Sequence, residues 1–225
     1  MGTATGTLPY LLLLLTVVAG AVDAVSFLSL GHVFVVNMTG NIVFLGFAAA
    51  GVTEISLTST LVALGAFLCG SVLGGRLALR FSEARLLTVA TVAKIVLIGA
   101  ALVVVAVFHA GIDAAYRDVV IALLAFAMGV QNASARRIGI PDLTTTVLTM
   151  TLTAIAADST LAGGTNPRWT WRALSIGSML VGAFAGGLCV LHQGIAVALG
   201  LVLVLLAVTG LLGRAAFRAP ANGRA

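Results

Sequence analysis

The chain has very little charge. Only 8% of its 225 residues are charged, whereas 60% are hydrophobic, and the mean hydropathy is +1.18. A soluble domain carries about a quarter of its residues as charges, so this composition indicates an integral membrane protein whose partner is the lipid bilayer. The net charge of +5 does not indicate nucleic-acid binding, because the basic residues lie scattered at the ends of apolar runs, without a basic stripe.

The sequence is also poor in groups that carry enzyme or metal chemistry. Its two cysteines, Cys69 and Cys189, both fall in apolar runs, which argues against a disulfide framework. The three histidines are isolated from one another and from any carboxylate cluster, so no metal site is expected. Zinc-protease, nucleophile-elbow, phosphate-loop and paired-carboxylate patterns are absent from the sequence, and we therefore expect neither an enzyme nor a cofactor.

Long apolar runs fill most of the chain. Six of them are long enough, or nearly so, to cross about 30 Å of hydrocarbon as helices. Two further segments begin with β-branched residues and helix breakers and continue as apolar helices too short to span alone. We predict an all-α integral membrane protein with about six transmembrane helices plus two broken, re-entrant half-helix segments. The six spans are 8–30, 58–79, 86–108, 119–134, 172–191 and 195–213, and the broken segments are 31–51 and 136–158.

The arginines favour an arrangement in which the two broken segments do not cross the membrane. If both crossed, six arginines would lie on one side and five on the other, which is no bias. If neither crosses, ten share one face and Arg117 alone lies opposite, as expected when basic residues collect on the cytoplasmic side. We therefore predict a multi-pass protein of the inner (plasma) membrane with both termini in the cytoplasm. Segment length alone does not decide, because each broken segment could also form one full crossing.

The chain contains a weak internal duplication. A shift of 112 residues lays GAFLCGSVLGG (65–75) over GSMLVGAFAGG (177–187) with five identical positions, and a shift of 109 pairs Asp23 with Asn132. Three crossings in each half turn the second copy upside down, and inverted repeats with interrupted helices are common in secondary transporters. We predict a single membrane domain, 1–225, built from repeat one (8–108) and repeat two (119–213).

Both glycine-rich runs place a small residue at every fourth position. Ala66, Gly70 and Gly74 form one such stripe, and Ser178, Gly182 and Gly186 form the other. Small residues at this spacing let helix backbones approach closely. We expect the stripes to serve packing, either within the bundle or across a dimer.

Polar residues interrupt both broken segments at what should be membrane depth. Backbone groups in hydrocarbon need partners, so a break survives there only when it is buried in protein or lines a wet cavity. Asn37 or Thr39 can cap the first short helix, and Thr144–Thr146 offer the same after Pro141. Two short helices entering from opposite faces would aim electropositive N-termini at one place, which suits an anion or a strongly polar group. The predicted substrate-binding residues are Asp23, Asn37, Thr39 and Asn41 in the first half, and Gln131, Asn132, Thr145 and Thr149 in the second.

Asp23 is the acidic residue beside the first break. A charged side chain near the centre of a span costs about 2.5–3.5 kcal/mol on insertion scales, so it is expected to be functional or paired. One hypothesis is that Asp23 alternates between protonated and ionised forms and couples a proton to movement of a solute. The alternative is a structural carboxylate that permanently satisfies the broken helix. Lys94, inside the third predicted span, is a weaker candidate for its ion partner.

Two stretches carry a family resemblance. AGAVDAVSFLSLGHVFVVNMTGNIVFLG (19–46), followed by AFAMGVQNASARR (125–137) and a threonine-rich stretch, resembles the YoaK family. Members of this family are small bacterial multispanning proteins assigned to a domain of unknown function. The resemblance covers nearly the whole chain and implies an integral membrane protein with about six spans, but it implies no substrate.

Two classes of function stay open. The first is a small secondary transporter or permease that binds a small polar or anionic solute at the midplane, between the two half-helix N-termini. The second is a non-transporting scaffold or assembly protein whose polar residues only satisfy the broken helices. Because a complete translocation path within 225 residues would be tight, the transporter is expected to be a homodimer.

Overall fold

The computed structural model describes residues 4–108, 113–140 and 148–218, and nearly all of them are helical. Six helices are long and two are short, and a single 3-10 turn, Thr160–Ala162, precedes α7. The eight helices are α1 (Ala4–Ser29), α2 (Met38–Ala49), α3 (Leu57–Arg80), α4 (Glu83–Val107), α5 (Ala114–Ile138), α6 (Leu148–Ala157), α7 (Trp169–Gln193) and α8 (Ile195–Arg218).

The predicted all-helical membrane fold with six spans is confirmed. The six long helices are each apolar and long enough to cross a bilayer, and α2 and α6 are the two short apolar helices. Helix α5 is longer than the predicted span 119–134. Its C-terminus reaches Ile138, where Gly139 adopts the left-handed conformation that commonly ends a helix. The first three residues of the predicted broken segment 136–158 therefore belong to a spanning helix.

Helices α1 and α5 form the centre of the bundle, and they are the most buried of the six spans. Helix α1 packs mainly on α7, whereas α5 packs mainly on α3. Helix α8 covers a second side of α1, α4 covers a second side of α5, and α4 and α8 contact each other. The two short helices lie outside this core, α2 against α3 and α6 against α7.

Glycines lie at the two most extensive helix contacts, α3–α5 and α1–α7, as the small-residue stripes predict. A Cβ at Gly182 would collide with the backbone carbonyl of Val17, and a Cβ at Gly70 would collide with that of Phe126. The shift of 112 relates Gly70 to Gly182, and the shift of 109 relates Val17 to Phe126. The α3–α5 contact thus repeats the α7–α1 contact position by position, with the halves of the chain exchanged. Both stripes pack within one chain.

Helix surfaces that face away from the bundle are apolar. Leu68 in α3 and Leu180 in α7 are 63% and 68% exposed, and they occupy corresponding positions in the two halves. Large apolar side chains on the outside are stable when lipid covers them, because hydrocarbon imposes no hydration cost on them. The apolar exterior is therefore suited to contact with the hydrocarbon of a lipid bilayer.

Candidate functional site

The site is built around the break that follows α1. Helix α1 ends at Ser29, and the chain reverses through Gly31 and His32, both with positive φ. Glycine adopts this conformation without strain, and the following histidine is one of the residue types that tolerate it. Residues 33–37 then run back along α1 without helical hydrogen bonds before α2 begins at Met38.

Asp23 supplies acceptors to the backbone of this irregular stretch. Its Oδ1 accepts the Val35 N–H at 3.0 Å and the Val36 N–H at 2.8 Å. The side chain belongs to a residue that is only 6% exposed. Hydrogen bonds from two N–H groups to one carboxylate oxygen are strong, because the acceptor is charged. Without this carboxylate, both peptide N–H groups would be unsatisfied in the bundle. Asp23 therefore has a structural task, whatever else it does.

Asn41 completes the support from the other side. Its Oδ1 accepts the Phe34 N–H at 3.0 Å, and its Nδ2 donates to the Phe34 carbonyl at 2.6 Å. The residue is fully buried in the first turn of α2. Three consecutive peptide N–H groups, from Phe34 to Val36, are thus satisfied by two side chains, one from α1 and one from α2. This explains how a non-helical segment is stable among apolar helices.

Different interactions stabilise the ends of the two short helices. Asn37 is the N-cap of α2 and accepts the Gly40 N–H at 3.3 Å, so the predicted cap is Asn37 and not Thr39. Helix α6 is held on α7 at its other end. Arg172 donates to the Ala154 carbonyl at 2.9 Å and pairs with Asp158 at 2.8 Å.

A pocket of about 420 Å³ lies between α1, the irregular stretch, α6 and α7. Its polar lining comes from Asp23, from the α2 cap Asn37 and from Thr149 at the start of α6. The pocket thus joins the N-terminal ends of both short helices, although no Cα atoms of α2 and α6 lie within 8 Å of each other. Its apolar lining is Gly20, Ala24, Phe27, Leu28, Phe34, Val36, Leu148, Met179 and Ala183.

Three of the eight predicted site residues therefore meet at one pocket, and four others lie elsewhere. Thr39 faces a separate recess between α2 and α3, and Asn41 is occupied by the Phe34 backbone. Asn132 is partly buried in α5 and does not line the pocket. Thr145, like Pro141, Thr144 and Thr146, lies outside the described residues.

Gln131 belongs to a second polar cluster. Its Oε1 accepts from Lys94 Nζ at 2.8 Å, and its Nε2 donates to the Leu15 carbonyl at 3.2 Å. Lys94 and Gln131 are 1% and 2% exposed. Leu15 lies eight residues before Asp23 on α1, which is about 12 Å along the helix axis. The hydrogen-bond partner of Lys94 is Gln131, not Asp23, which had been considered as its ion partner.

Sequence reasoning missed the apolar walls. Phe27 and Phe34 stack with ring centroids 5.0 Å apart, and Met179 and Ala183 close the pocket from α7. A signal for the α7 side exists in Gly20, where a Cβ would meet the backbone of Met179 and Ala183. The shift of 109 residues relates Gly20 to Gly129, and the two glycines together could have indicated the close helix contacts.

The arrangement can hold a small molecule by one carboxylate, one amide and one hydroxyl against mostly apolar walls. Pockets of about 300–1,000 Å³ with a few convergent polar groups are typical of small-molecule sites. Groups of three or more histidine, cysteine, aspartate or glutamate residues that could hold a metal ion do not occur among the described residues.

Comparisons with known proteins agree with the membrane fold. The family model described as "Protein of unknown function (DUF1275)" matches residues 11–212. The UPF0700 transmembrane protein YoaK of Bacillus subtilis (strain 168) is 36% identical over 148 residues, which cover 66% of this chain and 65% of that protein. The match therefore spans just under two thirds of the relative's length. No solved structure matches the chain. The resemblance found at 19–46 and 125–137 is confirmed.

Proposed function

The chain belongs to the family described as "Protein of unknown function (DUF1275)", and since that description assigns no activity, we propose a function from the geometry. The proposal is a small secondary transporter or permease that binds a small polar solute in the Asp23 pocket. The observation that carries it is a pocket of about 420 Å³ whose polar groups come from Asp23 of α1 and from the N-terminal ends of the two short helices, which belong to opposite halves of the chain.

An inverted duplication forms part of this proposal. Support comes from the contacts that recur when the two halves are exchanged. A Cβ at Gly129 would collide with the Phe67 carbonyl, and a Cβ at Gly20 would collide with the Met179 carbonyl, again at the shifts of 109 and 112. Two equivalent halves that pack on each other in this way can rock about their contact and expose a shared site to either side.

The orientation and assembly are proposals of the same kind. The arginine distribution supports an inner (plasma) membrane protein with both termini in the cytoplasm, and an even number of spans is consistent with termini on one side. A homodimer stays a prediction from chain length. It is tested by the mass of the purified protein in detergent, with the bound detergent subtracted.

A second candidate function is a non-transporting scaffold or assembly protein. The observation that favours it is the number of polar groups already used by the fold itself. Asn41 is fully occupied by Phe34, Gln131 by Lys94 and Leu15, and one oxygen of Asp23 by two peptide N–H groups. In this alternative the pocket is dry and binds nothing.

Water access to the pocket distinguishes the two candidates. In a chain whose native cysteines are replaced by alanine, Thr149→Cys places a thiol in the pocket and Leu180→Cys places one on the lipid-facing side of α7. A charged maleimide, applied to membranes opened on both sides, reacts only with thiols in contact with water. The transporter predicts labelling of Thr149→Cys and not of Leu180→Cys. Equal protection of both thiols would favour the scaffold.

Transport itself is measured by uptake into proteoliposomes across a panel of small polar solutes, with and without a pH gradient. Ala24→Leu, which fills the pocket, is expected to reduce uptake. Ala100→Leu, on an exposed face of α4, is the matched control and is expected to leave uptake unchanged. If proton coupling by Asp23 is correct, Asp23→Asn changes the pH dependence of uptake. An unchanged pH dependence would rule out that coupling.

A further inference from the structure

We infer that the pocket at Asp23 selects a small organic cation, of the protonated-amine type, rather than an anion. This inference names the solute class and rests on the proposed transporter function. It starts from the charges that the pocket presents. Asp23 is the one charged residue in the described lining, and every other lining group is apolar apart from Asn37 and Thr149.

Cationic side chains are held away from the pocket. Arg117 lies near Gly31 at the turn after α1, but its guanidinium donates to Ser59 at 3.4 Å and lies 4.0 Å from the Asp118 carboxylate. Lys94 donates to Gln131 at the level of Leu15, about 12 Å along α1 from Asp23. Neither residue lines the pocket. An anionic solute would therefore meet the charge of an ionised Asp23 without a cationic side chain from the described lining to balance it.

The helix ends do not reverse this balance. Each helix N-terminus is equivalent to about half a positive charge, and that of α2 already has the Asn37 cap and the nearby Asp23 carboxylate. With Asp23 ionised, the pocket has no excess of positive charge to offer an anion. Direct contacts with the lining then determine which solute binds, and the carboxylate is the strongest hydrogen-bond acceptor that the described lining offers.

The Asp23 carboxylate can still accept a hydrogen bond from a cationic solute. The N–H groups of Val35 and Val36 both donate to Oδ1, the backbone of Asn37 contributes a further hydrogen bond to the carboxylate, and the side chain lines the pocket. Since the two oxygens of a carboxylate can accept about four hydrogen bonds, Asp23 retains the capacity to accept one more. An ammonium group bonded to the carboxylate gains from the apolar lining, because Ala24, Leu28 and Met179 offer no competing polar group beside the pair. The carbon part of the solute would lie against the Phe27 and Phe34 side of the pocket.

The test uses three probes that share a cyclohexyl ring and carry a positive, a neutral or a negative polar group: cyclohexylammonium, cyclohexanol and cyclohexanecarboxylate. Binding to the purified full-length protein in detergent is measured by isothermal titration, and uptake is measured separately in proteoliposomes. We expect the ammonium to bind at least about tenfold more tightly than the alcohol, since a hydrogen bond to a charged group is about twice as strong as a neutral one. The carboxylate is expected to bind more weakly than the alcohol.

Asp23→Asn is the decisive variant, because the amide oxygen can still accept from Val35 and Val36 while the charge is lost. It is expected to remove the preference for the ammonium and leave the alcohol unchanged. Thr39→Val, outside the pocket, is the control. If Asp23→Asn fails to fold, Ala24→Leu locates the site instead, because it fills the pocket and should abolish ammonium binding without altering the carboxylate.

The two proposals fail in different ways. Selective ammonium binding that Asp23→Asn removes, without any uptake, would support the solute class and refute transport. Uptake of the carboxylate or alcohol without preference for the ammonium would support transport and overturn the solute class. Equal binding of all three probes, or binding of none, would also overturn it.

Discussion

The buried Lys94–Gln131 pair allows a sharp test of how this bundle tolerates a cation. Lys94 is the twelfth of the 25 residues of α4, midway along a span, and its Nζ donates to one side-chain acceptor, Gln131 Oε1, at 2.8 Å. Gln131→Leu removes that acceptor and leaves the ammonium buried without it. Lys94→Met keeps a chain of similar length and removes the charge instead.

The expected costs differ because the two variants leave different groups behind. Hydrogen bonds to charged groups contribute about 1.5–3 kcal/mol, and breaking a buried ionic contact from one side costs about 3–5 kcal/mol in soluble proteins. Since the unfolded state in a membrane also finds partners, we expect about 3 kcal/mol for Gln131→Leu. Lys94→Met leaves a neutral amide oxygen unpaired but removes a desolvated charge, so we expect about 1 kcal/mol. The double variant is expected to be nearly neutral.

The assay is reversible unfolding in mixed micelles with increasing denaturing detergent, followed by helical circular dichroism. Leu206→Met is the control, because a shift of 112 relates Leu206 in α8 to Lys94 and a volume-conserving core substitution costs less than about 1.5 kcal/mol. The sum of the two single costs should exceed the cost of the double variant by about 4 kcal/mol. Additive costs, or a Gln131→Leu variant no less stable than Lys94→Met, would refute the reasoning.

Two further predictions follow from the helix contacts and from the break. Gly182→Ala should lower the free energy of unfolding by about 1–3 kcal/mol through overpacking against α1, and Gly70→Ala should lower it equally within about 0.5 kcal/mol. Gly177→Ala, where the added methyl group faces open space, should have no measurable effect. The same unfolding assay measures all three variants, and unequal costs at Gly70 and Gly182 would contradict equivalent halves. Asn41→Leu leaves the N–H and the carbonyl of Phe34 unpaired and should lower the free energy of unfolding by about 2–4 kcal/mol. The local readout is faster hydrogen exchange at the Phe34 amide. Unchanged exchange would show that Asn41 does not stabilise the irregular stretch.

The number of spans could be predicted from the sequence because it depends on local quantities, namely apolar length and the position of arginines. The positions of the helix ends were harder to predict from the sequence. The predicted span 119–134 stops where Gln131 and Asn132 make the sequence polar, yet α5 continues to Ile138. Gln131 is accepted inside the bundle because Lys94 and Leu15 satisfy it, and both partners are distant in sequence. Local polarity cannot reveal a partner that tertiary packing supplies.

The same reason divides the candidate site residues. Asp23, Asn37 and Thr149 were predicted from the need to satisfy broken backbone, and that need does place polar groups at the ends of the short helices. The prediction could not tell a group that only satisfies backbone, such as Asn41, from one that also faces open space. That distinction depends on Ala183 and Met179 from α7, whose small and flexible side chains leave room beside Asp23.

In the duplication that we propose, the buried ionisable side chains are distributed unequally between the two halves, and this constrains the proposed transport mechanism. The shift of 109 relates Asp23 to Asn132 and Gln131 to Val22, and the shift of 112 relates Lys94 to Leu206. Each polar group therefore has a neutral or apolar counterpart in the other half, while the glycine contacts that join the halves are retained in both. Packing between helices requires the same small residues at both contacts, because a Cβ at either would meet backbone. A buried ionisable side chain is costly in each half, and Asp23 at the first break and Lys94 midway along α4 each lack an ionisable counterpart in the other half. If the halves rock to expose the pocket, only one of them carries the charge that a solute or proton would follow.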